Sequence, residues 1–269
     1  MAQDCGVSPR ALRSRFRACW GIAPLPVFPT VAVRGIILDA TSVQKHRRVT
    51  LVVEDSARRC PVAWQFAERE NYASWQRLLR ALQGTGLAPA FAVCDGQKGL
   101  LKALREVWPA IGIQRCLLHV VRQARLWLTQ HPQTPAGQEL LVLVRALPRV
   151  RTKRQRRRWL RVYRHWLHRH DEFLKQRTHH PAEPRRWWYT HRKLRAVRSL
   201  LTHSLPDLFR YTRYPEIPRT TNHVEGGINS RIKDLYRRHR GLALDRKTLL
   251  TAWYLASRQT REKPTRDFL

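Results

Sequence analysis

Residues 35–41, GIILDAT, and residues 90–99, AFAVCDGQKG, decide how the chain is read. Each is a short apolar run that closes on an aspartate, Asp39 in the first and Asp95 in the second. Such runs, bounded by turn formers, have the length and composition of buried strands. Each aspartate is therefore expected at the C-terminal end of a strand. Parallel neighbouring strands lie about 4.8 Å apart. In that arrangement the two carboxylates leave one sheet edge together, close enough to share divalent ions that relieve their repulsion. The competing reading is that each aspartate only starts a turn, and taken singly each favours it.

Outward from these two stretches, apolar runs at 31–38, 49–53 and 60–66 are joined by short polar connections and predict an antiparallel meander. Residues 72–82 have helical spacing, with Trp75, Leu78, Leu79 and Leu82 on one face. A strand at 90–94, a helix at 100–108, a strand at 111–118 and a helix through Leu128 follow. The order β-β-β-α-β-α-β-α gives an α/β fold, a mixed sheet with helices on its faces. After Pro132 the strand signal fades, and 137–147, 152–175 and 185–211 read as helices rich in Arg, His and Trp. Helices at 222–239 and 245–258 and a tail from 259 complete the chain.

A third carboxylate is available in TTNHVEGGINSRIKDLYRRHRG, residues 220–241. Glu225, Asn229, Lys233 and Tyr236 fall on one helical face, and Val224, Ile228, Ile232 and Leu235 on the adjacent one. Glu225 on that polar stripe is a candidate metal ligand, with Asn229 as support. Asn222 and Glu225 also have capping-box spacing, in which Glu225 would only bond the cap backbone. The spacing leaves both open.

The charge is one-sided: 52 Lys and Arg against 19 Asp and Glu, a net +33. A polyanion relieves the resulting self-repulsion, which points to nucleic acid. Residues 2–20 contain the spacing of a helix-turn-helix at Ala2, Gly6 and Leu12, with Ser8 as cap and Pro9 at the first helical position. The first helix of that unit is nearly absent, and a plain capped helix is the alternative. Candidate DNA contacts are Arg10, Arg13 and Arg15 there, and Arg154 and Arg157 in the basic run near 151–158. Arg231, Lys233, Arg237 and Arg238 on the Glu225 helix join them. Trp187, Trp188, His191 and Arg192, in RRWWYTHRKLR (185–195), suit stacking on unpaired bases. Some of those rings suit a helical core equally. Five scattered cysteines and a polar start to the chain predict reduced thiols and a cytoplasmic, nucleoid-associated protein, and no apolar run approaches bilayer length. Cys116 and His119 form a Cys-x-x-His without a second pair for zinc, and are expected as a buried thiol and a histidine at the active-site edge.

Together LDAT, CDGQKGL, QRCLLHVVRQAR, RRWWYTHRKLR, TTNHVEGGINSRIK and YRRHRGL resemble, in order, the Mutator-like DDE transposases of bacterial insertion sequences. The resemblance covers roughly residues 24–258. It implies a ribonuclease H-like core in two parts, 24–131 and 219–258, interrupted by an all-helical insertion at 132–218. A helix-turn-helix remnant at 1–23 and a tail at 259–269 flank them. It implies Asp39, Asp95 and Glu225 as the catalytic metal triad, holding two Mg²⁺ ions with Mn²⁺ able to substitute. It further implies a homodimer or larger assembly on double-stranded transposon ends, and 3′-end cleavage followed by strand transfer. The departure from the family is the incomplete N-terminal unit. Alternatives are another ribonuclease H-like nuclease of the resolvase type, or a non-catalytic DNA-binding protein derived from a transposase.

Overall fold

The computed structural model describes residues 6, 8–28, 32–44, 47–183 and 185–259, without the side chains of 12, 13, 15, 16 and 19. The fold is mixed α/β, in two compact units. One unit is Met1–Ala90, Lys98–Ala110 and Asn222–Leu269, and the other is Phe91–Gln97 and Ile111–Thr221.

In the first unit, α1 (Pro9–Cys19) begins as its sequence dictates, with the Ser8 hydroxyl accepting from Ala11 N at 3.1 Å. Its partner residues in the expected helix-turn-helix, Ala2 and the side chain of Leu12, lie outside the described residues. The expected meander follows: β1 (Gly35–Gln44), β2 (Arg48–Asp55) and β3 (Pro61–Ala67), antiparallel in order. The middle strand buries Leu51, Val52 and Val53 completely, as a two-sided apolar run should. Helix α2 (Tyr72–Gly84) opens with a capping box, Asn71 with Ser74, and buries Trp75, Leu78, Leu79 and Leu82. Helix α3 (Lys98–Val107) packs on it through Leu100, Ala103, Leu104 and Val107. The Gln83 side chain seals the pair by donating to Val107 O at 2.6 Å. A π-helix (His223–Asn229), α9 (Ser230–Arg238) and α10 (Leu244–Arg258) end the unit.

In the second unit, β4 (Phe91–Cys94) and β5 (Gly112–Arg115) pair in parallel. The strand expected at 111–118 ends at Arg115 because Leu117 already starts α4 (Leu117–Leu128). Helices α5 (Pro135–Ala146), α6 (Lys153–Arg169), α7 (Asp171–Lys175) and α8 (Arg192–Leu208) follow. The basic run is exposed and covers the first turns of α6, and the helix buries an aromatic face further along. Trp159, Tyr163 and Trp166 are buried, with successive ring centroids 5.2 and 6.2 Å apart. Both indoles are satisfied inside, donating to Leu143 O at 2.9 Å and Ala136 O at 3.0 Å. Burying one such ring stabilises by about 1.5–3 kcal/mol, and three in register fix α6 against its neighbours. The fully buried Gln114 of β5 ties the strand to α8 by donating to Leu208 O at 2.9 Å.

Two expectations need correction here. The helix expected over 185–211 is instead a hairpin, β6 (Arg177–His179) with β7 (Trp187–Tyr189), followed by α8. Three consecutive aromatics favour extended backbone, and prolines at 181 and 184 just before them interrupt any helix reaching in from that side. The second unit is therefore not all-helical after Pro132. The helix expected over 152–175 is likewise broken at His170, between α6 and α7.

Candidate active site

Asp39 lies inside β1, opposite Val52, and not at its C-terminal end. The strand runs five residues further because Ala40 to Gln44 keep pairing with β2, up to an irregularity between Ser42 and Gln44. One carboxylate oxygen, Oδ1, accepts from Ala40 N at 3.0 Å. The other, Oδ2, accepts from the Asn229 side-chain amide at 2.7 Å. Asn229 is only 2% exposed, and its Oδ1 is buried with no hydrogen-bond partner. A short bond to a carboxylate from a buried amide fixes the acid's rotamer, since bonds to ionised groups are about twice as strong as neutral ones.

Asn229 belongs to the π-helix that carries Glu225. The wide turn follows from composition. Gly226 and Gly227 give weak support to an α-turn, and the Ser230 hydroxyl bonds to Gly226 O, competing with the helical ladder. Ser230 N consequently donates five residues back, to Glu225 O. The capping-box alternative for Glu225 requires the Asn222 side chain to cap the helix. Asn222 has helical backbone angles and makes no side-chain cap bond, so the box is not formed. Val224, Ile228 and Ile232 are buried beneath, as the adjacent apolar face predicts.

A second tie on the same helix was not legible in the sequence. His223 Nδ1 lies 2.7 Å from Oε1 of Glu54, a completely buried carboxylate on β2. Burial raises the Glu54 pKa, and the neighbouring His223 opposes that rise. Glu54 pairs across the sheet with Ile37, two residues from Asp39. His223 and Asn229 therefore fasten the two ends of the Glu225 helix to adjacent strands, β2 and β1.

In the second unit Asp95 directly follows β4. Its Oδ1 accepts from Gln97 N at 2.9 Å, an Asx turn. Gly96 has φ +86, and a Cβ there would lie 1.7 Å from Arg115 Nε. The Arg115 guanidinium thus occupies the space a side chain would take, and its Nε donates to Asp95 O at 3.2 Å. Nearby in the chain, the Cys116 sulfur accepts from Thr221 N at 3.3 Å and Thr221 Oγ1 at 3.4 Å. Burial pushes the Cys116 thiol up, but hydrogen bonds from His119 and Thr221 outweigh it and leave the pKa below the usual thiol range. Burial and the neighbouring Asp95 push the Cys94 thiol up to about 12, against a single backbone hydrogen bond from Gly96. Among the described residues no group of three or more His, Cys, Asp or Glu side chains is placed as a ready metal cage.

Residues 26–147 match the family model for transposases of the Mutator family. Over this stretch, less than half of the chain, it is similar to the transposases of the Mutator family. It is 33% identical over 75 residues to a probable insertion-sequence transposase of Corynebacterium diphtheriae, covering 28% of this chain and 22% of that protein. It is 49% identical over 53 residues to the IST2 transposase of Acidithiobacillus ferrooxidans, 19% of this chain and 18% of that one. It is 43% identical over 72 residues to the IS6120 transposase of Mycolicibacterium smegmatis, 26% and 22% of the two. The matched segments thus span about a fifth of these relatives' lengths.

The Mutator match contains Asp39, Asp95, Cys116 and His119, while Glu225 and Asn229 lie beyond it. Of the basic candidates, Arg10, Arg154, Arg157, Arg192, Arg231, Lys233, Arg237 and Arg238 are exposed. The side chains of Arg13 and Arg15 lie outside the described residues. Arg237 and Arg238 both approach Asp234, at 3.7 and 2.8 Å, so that acid is spent on neutralising its own helix. Trp187 is exposed, and Trp188 and His191 are half-buried. No described helix of the chain is long and apolar enough to cross a membrane.

Proposed function

We propose that this chain is a DNA transposase that cuts and joins DNA through Asp39, Asp95 and Glu225, on a core of ribonuclease H type. The observation that carries the proposal is the Asn229–Asp39 bond. It locks an acid inside the Mutator match to the very helix that supplies Glu225. The names of the relatives, insertion-sequence transposases, support the same activity.

The donor set fits Mg²⁺, a hard ion that prefers carboxylate oxygen. Asp39, Asp95 and Glu225 would hold two such ions, which would polarise the scissile phosphate and lower the pKa of the attacking water or hydroxyl. Asn229 orients Asp39, Arg115 and the Asx turn orient Asp95, and His223 anchors the start of the Glu225 helix. Water first attacks phosphorus at the element's end, and the bond to the 3′-oxygen breaks. The freed 3′-hydroxyl then attacks a target phosphodiester, forming one ester as another breaks. Exposed arginines of α6 and α9 neutralise the two duplexes, which assemble on a dimer or larger complex. The cellular place of action is the nucleoid.

The test uses labelled duplexes carrying the sequences that flank the reading frame, with supercoiled plasmid as target. Nicking at the element boundary and joined products in Mg²⁺ or Mn²⁺, both abolished by chelator, support the proposal. Tight binding to those duplexes with neither product at any metal concentration contradicts it.

A further inference from the structure

The second unit contains a cleft of about 840 Å³ between the end of α4, the start of α5, the β6–β7 hairpin and the start of α8. Its wall is unusual in chemistry. Three indoles, Trp127, Trp187 and Trp188, share it with the cations Arg186, Arg192 and Lys193, and among the described residues its lining includes no Asp or Glu. Three histidines, among them His180 and His191, supply further ring edges and donors. We infer that this cleft is a pocket for one extrahelical nucleotide of the DNA, its base held among the indoles and its phosphate by the arginines and lysine.

The chemistry selects that occupant. Flat aromatic walls accept any base by its π-face, and cations without neighbouring carboxylates select an anion. A nucleotide combines the two. A purely apolar ligand would give Arg186 and Lys193 no counter-charge in the cleft, and a bare phosphate would leave the Trp127 ring without a flat partner. The cleft lies within the size range of ligand pockets, about 300–1,000 Å³, and an unpaired base flipped from its stack would enter it with its own phosphate.

The rings are also prepared for stacking. Trp187 carries the Arg177 guanidinium 4.0 Å from its centroid, and Trp188 carries that of Arg192 at 5.4 Å. His180 braces Trp188 edge-on, at 6.4 Å between centroids. The hairpin register, His179 with Trp187 and Thr178 with Trp188, keeps the two indoles on opposite strand faces. Both nevertheless reach the cleft, because it wraps the hairpin's end. Trp127 closes the third side from α4. It lies outside every motif quoted from the sequence, and its half-buried ring has room for a partner. This inference rests on the chain being a DNA-acting protein, not on the carboxylate triad. A triad variant that cannot cut should still fill the pocket, so the two readings fail separately.

The experiment measures binding of the full chain to four duplexes of equal length: fully paired, with a one-nucleotide bulge, with the same bulge abasic, and with a short single-stranded 3′ tail. Loss of one base stack costs about 1–3 kcal/mol, so wild type should prefer the bulge and the tail over the paired duplex by about tenfold. The abasic bulge should behave like the paired duplex. Trp127→Ala should erase the preference and leave paired-duplex affinity within about twofold, and Trp127→Phe should restore most of it. Millimolar deoxynucleoside monophosphate should compete with the bulge for wild type, as a free nucleotide of the same chemistry. Equal binding to bulged, abasic and paired duplexes by wild type overturns the inference. So does an unchanged bulge preference in both Trp127→Ala and Trp188→Ala.

Discussion

Gly96→Ala puts one methyl group into the turn that carries Asp95, and its cost follows from two features of that turn. The backbone there has φ +86, where an alanine is strained by about 1–2 kcal/mol. The added Cβ would also fall 1.7 Å from Arg115 Nε and 2.0 Å from its Cζ, so the guanidinium must leave. Its hydrogen bond to Asp95 O, 3.2 Å long, goes with it, worth about 0.5–1.5 kcal/mol. The sum is about 1.5–3.5 kcal/mol, or a melting temperature lower by roughly 3–14 °C at about 2–4 °C per kcal/mol. Asp95 should shift as well, and a misplacement near 1 Å can cost about a hundredfold in rate. Calorimetry and the rate of Mg²⁺-dependent nicking are the two assays. Gly84→Ala is the control: it meets no atom within 4 Å and has no positive φ, so it should change stability by less than about 0.5 kcal/mol. A Gly96→Ala protein that melts and cuts like wild type would show that the Arg115 packing does not hold the Asp95 turn.

Other perturbations follow from the same geometry. Asn229→Ala removes a charge-assisted bond worth about 1.5–3 kcal/mol, and should slow cleavage more than it weakens DNA binding; equal losses in both would mark Asn229 as merely structural. His223→Ala leaves Glu54 buried with neither oxygen partnered, since Oε2 already has no hydrogen bond. A raised carboxyl pKa favours the folded state at low pH and costs stability as pH rises through it. Denaturation of this variant should therefore show a deficit of about 1–3 kcal/mol at neutral pH that shrinks in acid, and a pH-independent deficit would contradict that origin. Affinity for paired DNA should fall linearly in log–log terms with salt, by a slope of about 0.9 per phosphate contacted; a flat profile would remove the exposed arginines from the interface.

The first unit was largely legible because its signals are local. Alternating and continuous apolar runs gave the meander, and Trp75, Leu78, Leu79 and Leu82 gave the buried face of α2. The end of β1 was misread because Thr41, Ser42 and Gln44 look like turn residues, while their pairing with β2 is a tertiary fact. The hairpin was hidden for a similar reason: three-residue strands carry too little periodicity to oppose the helix signal of α8. In the site, acids at strand ends and on a helix face drew notice by residue type. Their holders did not. Glu54 sits in an apolar strand and pairs with a histidine 169 positions away, and neither residue hints at the other. The Asp95–Gly96 pair does carry a turn signal, and it could have led to the close approach of Arg115.

The most direct test of the central claim compares Asp39→Asn, Asp95→Asn and Glu225→Gln with wild type in one nicking assay at saturating Mg²⁺, with DNA affinity measured in parallel. Each substitution keeps size and removes the charge that a metal needs, although Asn at 39 keeps only one of the two acceptors that Asp39 uses. The account predicts that all three bind DNA as wild type does, because one charge is a small part of a +33 chain, and that all three cut slower by orders of magnitude. Cutting by any one of them within a few-fold of wild type would remove that carboxylate from the active site.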